Sequence, residues 1–334
     1  MHNWYWTGYG FRAMNTQVYA WLYTNVPQAG EILCDVQDLF YSMENRLSRF
    51  KADSELSRLN RADGPFRASP TLFDAVSVAL WAAHATGGLF DPTILSHLEQ
   101  AGYDRSFDAI LSSFPAPRRE MTHTVPFPAG GNGAQAVSLP LPPRPGQFLA
   151  VEMNRVTRTI TKPPHVRLDL GGIGKGWTVD RAADRLAGLG PFLVNAGGDL
   201  YAYGVPPGEY GWEVGVADPR QPAHTLATLR VADRAVATST IARRRWQRNG
   251  HTMHHLIDPR TGAPAQTDLL SVTVVGERVA TAEVFAKVAL IIGAEAALPY
   301  LESIPNVEGL LVTQDNRLLH TTGLKSYLTS ALQN

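Results

Sequence analysis

Cysteine is nearly missing from this chain. Cys34 is the single one among 334 residues, which excludes an intrachain disulfide framework and a thiolate metal cluster, since each needs at least two sulfurs. Net charge is missing as well: thirty basic side chains balance thirty acidic ones, leaving no overall positive field to hold a phosphate backbone or an anionic membrane. Nucleic acid is therefore not expected as a partner. Long apolar runs are absent too. Even FLVNAGGDLYAYG is broken by Asn195 and Asp199, short of the roughly 18 apolar residues that cross a bilayer, so no membrane span is expected. The opening MHNWYWTGYGFRAMNTQ has no basic n-region, no continuous apolar core and no small-residue cleavage site, and no lipoprotein-like leader precedes Cys34. The chain reads as cytosolic. Lysine is scarce, confined to positions 51, 162, 175, 287 and 325, so the placement of each is informative.

What is present suffices for a large core. Hydrophobic residues make up 44% and charged residues 18%, with seven Trp, eleven Tyr and twelve Phe, which excludes wholesale disorder. At about 150 residues per domain the length fits two units, or one large body with insertions. Alternation predicts a strand over 17–22, read as an edge strand, and apolar spacing predicts a helix over 32–50. Asp53 and Ser54 signal the cap of a short helix, and Ser69, Pro70 and Gly87 bracket a longer amphipathic one. Residues 113–147, with SSFPAPRRE, PAGGNGAQ and LPLPPRPGQ, sustain neither helix nor central strand and read as a surface insertion or linker. Beyond them, VEMNRVTRTITK and VRLDL read as strands and WTVDRAADRLAGLG as a helix. Short strands follow over 192–204, 211–218, 224–233, 235–240 and 269–277, then an apolar helix ending at Gly293. Helices early and strands late indicate an α+β fold.

Three clusters carry candidate chemistry. In LDLGGIGKGWTVDRAADRL a strand leads into four glycines and a helix, the setting in which backbone N–H groups and Lys175 can cradle an anion. The plainer reading is a glycine turn packing strand on helix, and neither a dinucleotide fingerprint nor a Walker loop is present. In FLVNAGGDLYAYG, Gly197 and Gly198 read as a bulge, or as the close approach of something large to the backbone. In HTMHHLIDPRTGAP, residues His254, His255, Asp258, Arg260 and Thr261 crowd a turn. Zinc is disfavoured there because neighbouring histidines in a strand point to opposite faces. Turn chemistry and function remain equally open.

Five motifs in order, MENRLSRFKADSELSRLN (43–60), GLFDPTI (88–94), DLGGIGKGWTVD (169–180), VNAGGDLYAYG (194–204) and HLIDPRTGAP (255–264), resemble the flavin transferases of the ApbE family over residues 12–315. Members of that family are FAD:protein FMN transferases. The resemblance implies a T-fold-like α+β body with FAD in a cleft between two subdomains. It implies cleavage of the FAD pyrophosphate with Mg²⁺ and attachment of FMN to a Thr or Ser hydroxyl of an acceptor protein. Matched residue by residue, it assigns Ser48 to the flavin side and Asp91 and Thr93 to the cleft. Gly171, Gly172 and Lys175 fall on the cofactor loop, with Asn195, Gly197, Gly198 and Asp199 on the second glycine segment. Arg244, His255, Asp258 and Thr261 complete the cofactor set. His255, Lys175 and Glu283 are then the catalytic candidates, and the carbonyl of Gly174 and Glu283 the metal ligands.

The chain departs from the family's pattern in places. Lys287 stands where the family has a metal-binding Thr, and an ammonium repels a divalent cation and offers no lone pair. Either Lys287 swings aside or supplies positive charge itself and transfer persists with a shifted or weakened Mg²⁺ requirement, or Glu283 and Lys287 form an i,i+4 ion pair, the metal is lost and the protein binds FAD without turnover. Hydrolysis of FAD to FMN and AMP is a third expectation. Thr240 replaces a loop glycine, Ala242 an aromatic residue, and MNTQ at 14–17 an MGT motif, while Arg243, Arg244 and Arg245 read as a solvated basic turn. FMN transfer is the leading expectation.

Overall fold

Eight strands pair antiparallel in the order in which they occur along the chain: Tyr5–Ala13, Thr16–Thr24, Phe192–Ala196, Asp199–Tyr203, Arg234–Thr240, Leu269–Gly276, Glu308–Thr313 and Leu318–His320. The structure, a computed structural model, describes residues 3–112, 146–248 and 250–329. The expected insertion at 113–147 lies outside these residues except for Gly146 and Gln147, the latter opening a short 3-10 turn. Helices fill the excursions between strands: α1 (Ala29–Leu47), α2 (Glu55–Arg61), α3 (Pro70–Ala85), α4 (Leu95–Gln100), α5 (Phe107–Ser112), α6 (Gly174–Leu186), α7 (Val279–Ile292) and α8 (Ala294–Glu302). Helices gathered on one face of an antiparallel sheet make this the expected α+β fold.

Period-two alternation divides the core. Val18, Ala20, Leu22, Val194, Ala237 and Val272 pack with the apolar faces of α1, α3, α6 and α7. Leu193, Leu200, Val236 and Val275 point the other way, onto a hairpin formed by Trp212–Ala217 and Thr225–Val231. Covered on both faces, Leu269–Gly276 is buried at every position, which is why LLSVTVVG is apolar throughout. No helix among the described residues is long and apolar enough to cross a membrane.

Local signals placed several elements as expected. Ser54 caps α2 by accepting the Ser57 N–H, and Ser69 caps α3 by accepting that of Leu72, with Pro70 in the first turn. Other expectations need correction. The strand containing 17–22 is internal: Tyr5–Ala13 pairs outside it, with Gly8 and Gly10 opposite Trp21 and Tyr19, whose rings cover the missing side chains. Those glycines broke the alternation. Helix α1 starts at Ala29 and stops at Leu47, because Ser48 turns extended at ψ 123. Residues 166–170 are not a strand. The side-chain amide of Asn60 donates to Leu168 O (2.8 Å) and its oxygen accepts Leu168 N–H (2.7 Å), while Asp169 N–H bonds Pro92 O (2.7 Å), so hydrogen-bonding partners come from a side chain and a turn. Gly197 and Gly198 form a two-residue hairpin turn, not a bulge: Ala196 pairs with Asp199 and both glycines have positive φ, 67 and 102.

Helices α6 and α7 meet closely. A Cβ on Gly176 would lie 2.9 Å from the backbone of Val279 and Ala280, so only glycine permits the approach. One turn on, buried Asp180 accepts the N–H groups of Val279 (2.8 Å) and Ala280 (3.0 Å) and thereby caps α7. Asp180→Ala strands two buried donors and is expected to lower unfolding free energy by about 1–3 kcal/mol. Urea denaturation checks this, and Asp180→Asn, which keeps one acceptor, should lose less.

Candidate active site

The turn after α1, the 88–94 turn, the start of α6, the Gly197–Gly198 hairpin, the 240–244 loop and one side of α7 all open onto one cavity of about 1430 Å³. This exceeds the roughly 300–1,000 Å³ of ordinary small-ligand pockets and suits a dinucleotide. Ser48, Asp91, Gly171, Gly172, Gly174 and Lys175 line it, as do Asn195, Gly197, Gly198, Asp199, Arg244, His255 and Glu283. Thr93, Asp258 and Thr261 do not line it. Thr93 donates its N–H and hydroxyl to Asp91 Oδ1, shaping the turn that presents Asp91. Asp258 accepts from Arg260, and its carbonyl accepts the N–H groups of Thr261 and Gly262, so this segment is the turn that follows the site.

The glycine loop is not a ring of free amides. Gly171 N–H bonds Asp169, Ile173 and Gly174 both bond Leu170 O, and Gly176 bonds Glu283. Positive charge comes instead from side chains. Lys175 pairs closely with Asp199 and lies 3.3 Å from Glu283. Asp199 also accepts Thr238 N–H at 3.2 Å, and Glu283 Oε2 accepts Gly176 N–H at 3.0 Å. Lys287 donates to Gly172 O at 3.1 Å and stands 3.8 Å from Glu283. The expected i,i+4 pair therefore exists, within a larger cluster. Removal from water works against a charged Lys175, yet Asp199 and Glu283 carry its pKa above the ordinary lysine value. Removal from water likewise opposes ionised Glu283, but Lys175 and Lys287 hold its pKa below the usual range. For Lys287 desolvation dominates and lowers the pKa, against the pull of Glu283.

The two adjacent histidines have different fates. His254 Nε2 bonds Ala265 O (3.1 Å) and its Nδ1 accepts Leu256 N–H (3.3 Å), so that ring is structural. His255 lines the cavity, and its Nδ1 is buried without a hydrogen-bond partner among the described residues. Desolvation, then the charges of Arg244 and Lys287, hold its pKa well below 6.5, leaving it neutral at pH 7. Arg243 is exposed and lines the cavity, as does the half-buried Arg244, which adopts φ 50, and Arg245 is half-buried in a strand pairing with His254. A solvated turn was the wrong expectation for Arg244 and Arg245. Thr240 strains nothing: its hydroxyl donates to Leu270 O and accepts Ala242 N–H.

Residues outside the matched set also shape the site. Arg49 pairs with Asp169 at 2.9 Å, donates to Tyr103 O, and lies over the rings of Phe50 and Tyr103. This makes an aromatic corner at the Ser48 end, the rings of Phe50 and Tyr103 meeting edge to face at 62° around the buried guanidinium. No local motif marks Tyr103, which stacks on Trp246.

A sequence profile of the ApbE family matches residues 14–311. The chain belongs to the ApbE family. It is 27% identical over 312 residues to the FAD:protein FMN transferase of Treponema pallidum, covering 89% of this chain and 82% of that one. With the FAD:protein FMN transferase of Vibrio cholerae it shares 26% over 305 residues, covering 90% and 83%. The ApbE protein of Thermotoga maritima has a similar fold, with a TM-score of 0.79 at 22% identity over 98% of this chain and 100% of that one.

The metal ligands implied by family resemblance do not fit this chain. Gly174 O accepts the Thr178 hydroxyl at 2.7 Å, both Glu283 oxygens are engaged, and an ammonium stands beside them. Among the described residues no three His, Cys, Asp or Glu side chains come together as a metal site.

Proposed function

We propose that this protein transfers FMN from FAD to a Thr or Ser hydroxyl of an acceptor protein and releases AMP. The observation that carries this reading is one cavity lined by the Lys175 and Lys287 ammonium groups and by His255, a neutral histidine, in a chain of the ApbE family. Lys175, Lys287 and Arg244 offer charge for the diphosphate, and the rings of Phe50 and Tyr103, which line the cavity, offer an aromatic surface to an isoalloxazine ring. His255 takes the proton of the acceptor hydroxyl. The hydroxyl oxygen then forms a bond to the phosphorus of the FMN half as the bond from that phosphorus to the bridging oxygen breaks, and AMP departs with that oxygen. Phosphoryl transfer demands positioning and charge neutralisation above all.

Purified protein incubated with FAD, Mg²⁺ and an acceptor bearing a Thr or Ser flavinylation motif should give in-gel flavin fluorescence and one AMP per label. Free FMN with AMP and no label would assign hydrolysis instead. FAD retained without either product would assign a binding protein.

A further inference from the structure

We infer that Lys287 is a built-in counter-cation for the diphosphate, standing where a divalent ion would otherwise be held, so that transfer needs no bound metal. This rests on the reading of the cavity as an FAD site. Three observations converge on it.

The first is anchorage. Lys287 rises from α7 one turn after Glu283, its side chain 16% exposed, and is fixed by Gly172 O at 3.1 Å and Glu283 at 3.8 Å. Its helix neighbours Ala282, Val284, Ala286 and Val288 are buried, so the ammonium has no other wet surface to reach and the cavity is its polar outlet. The second is room made for it. A Cβ on Gly172 would lie 3.3 Å from Lys287 Cε and 3.1 Å from the Phe90 ring, so the bare glycine leaves the space in which the lysine tip lies. The third is charge and donor accounting. Glu283 Oε1 faces Lys175 and Lys287, Oε2 accepts Gly176 N–H, and Gly174 O accepts Thr178 Oγ1. A divalent cation would meet an ammonium and would have to compete with N–H donors for Glu283. Lys175, Lys287 and Arg244 line the same cavity as Asp199 and Glu283, and among these five side chains the cations are in excess. Phosphate oxygens arriving there meet positive charge that phosphoryl transfer uses to stabilise its transition state.

The test compares wild type with Lys287→Thr, each with FAD, in EDTA and in Mg²⁺. It reads acceptor labelling, FAD affinity by flavin fluorescence, and Mn²⁺ binding by electron paramagnetic resonance. Wild-type labelling should be the same within about twofold in either buffer, and wild type with FAD should bind no Mn²⁺ at micromolar concentration. Lys287→Thr should lose about 10²-fold in labelling rate in EDTA, regain activity with Mg²⁺ and acquire Mn²⁺ binding. Wild-type labelling that collapses in EDTA and returns with Mg²⁺, or micromolar Mn²⁺ binding by wild type, overturns the inference. These wild-type arms need no variant to fold. If wild type labels nothing in either buffer, the transferase reading fails separately. FAD affinity and Mn²⁺ binding then still decide the role of Lys287: Lys287→Thr must bind FAD at least about tenfold more weakly in EDTA, and an unchanged affinity overturns it.

Discussion

His255→Ala should slow FMN transfer by about 10²–10⁴-fold, the range ascribed to a positioned general base, while FAD affinity changes little. The ring lines the cavity, and its buried Nδ1 has no hydrogen-bond partner among the described residues. The pH profile gives a sharper readout than the loss itself. Desolvation, assisted by Arg244 and Lys287, keeps the folded-state pKa well below 6.5. The base is then neutral from pH 8 down through 6.5, and wild-type labelling should stay flat across that interval and fall only at lower pH. A midpoint at the ordinary histidine value or above would assign the base to another group. Stability carries the same sign. In the window between the lowered folded pKa and the ordinary unfolded one, the unfolded chain binds the extra proton, so this residue makes stability fall as pH drops below about 6.5. His255→Ala should weaken that dependence, as urea midpoints at pH 7.5 and 5.5 would show.

Lys175→Met should be the most damaging substitution for stability, at about 3–5 kcal/mol, because removing one partner from a buried ionic cluster leaves uncompensated charge. Asp199 would keep Thr238 N–H alone, and Glu283 would keep Lys287 and Gly176 N–H. In wild type the two carboxyls pull the pH dependence opposite ways, since burial raises the pKa of Asp199 even beside Lys175, and losing Lys175 tips the balance toward protonation. In wild type the lowered pKa of Glu283 contributes stability above the unfolded carboxyl value, and that contribution is lost as pH falls through the folded value. In Lys175→Met the stranded carboxyls prefer their protons, so the variant should gain stability as pH falls from 8 toward 5.5. Urea unfolding at the two pH values checks this, and Lys175→Met combined with Asp199→Leu should recover much of the loss. A variant with wild-type stability at pH 8 would show that the cluster is solvated and that Lys175 is held elsewhere.

Elements with local causes were legible in the sequence. Ser54, Ser69, Pro70 and Gly87 act within one helical turn of where they stand, so α2 and α3 follow from them. The ordered motifs pointed to Lys175, Asp199 and His255, and the count back from Gly293 to Glu283; all four line the one cavity. Errors fell where two local readings were equally good and a distant partner chose between them. Gly197 and Gly198 satisfy a bulge or a hairpin, and the register of Ala196 with Asp199 selects the hairpin. VRLDL alternates like a strand, yet the side chain of Asn60 occupies its backbone bonds.

By itself the sequence determined the fold class, the family, and the unusual Glu283–Lys287 spacing on an apolar helix. Only the tertiary structure decided that Lys287 meets Gly172 O, that the amides of Gly171, Ile173, Gly174 and Gly176 are engaged internally, and that Arg49 joins Asp169 under Tyr103. The physical reason is range. Caps, turns and periodicity are set by neighbours a few residues apart. The charge state of a site depends on which ions and dipoles the folded chain brings together within a few ångströms and how much water it removes from around them.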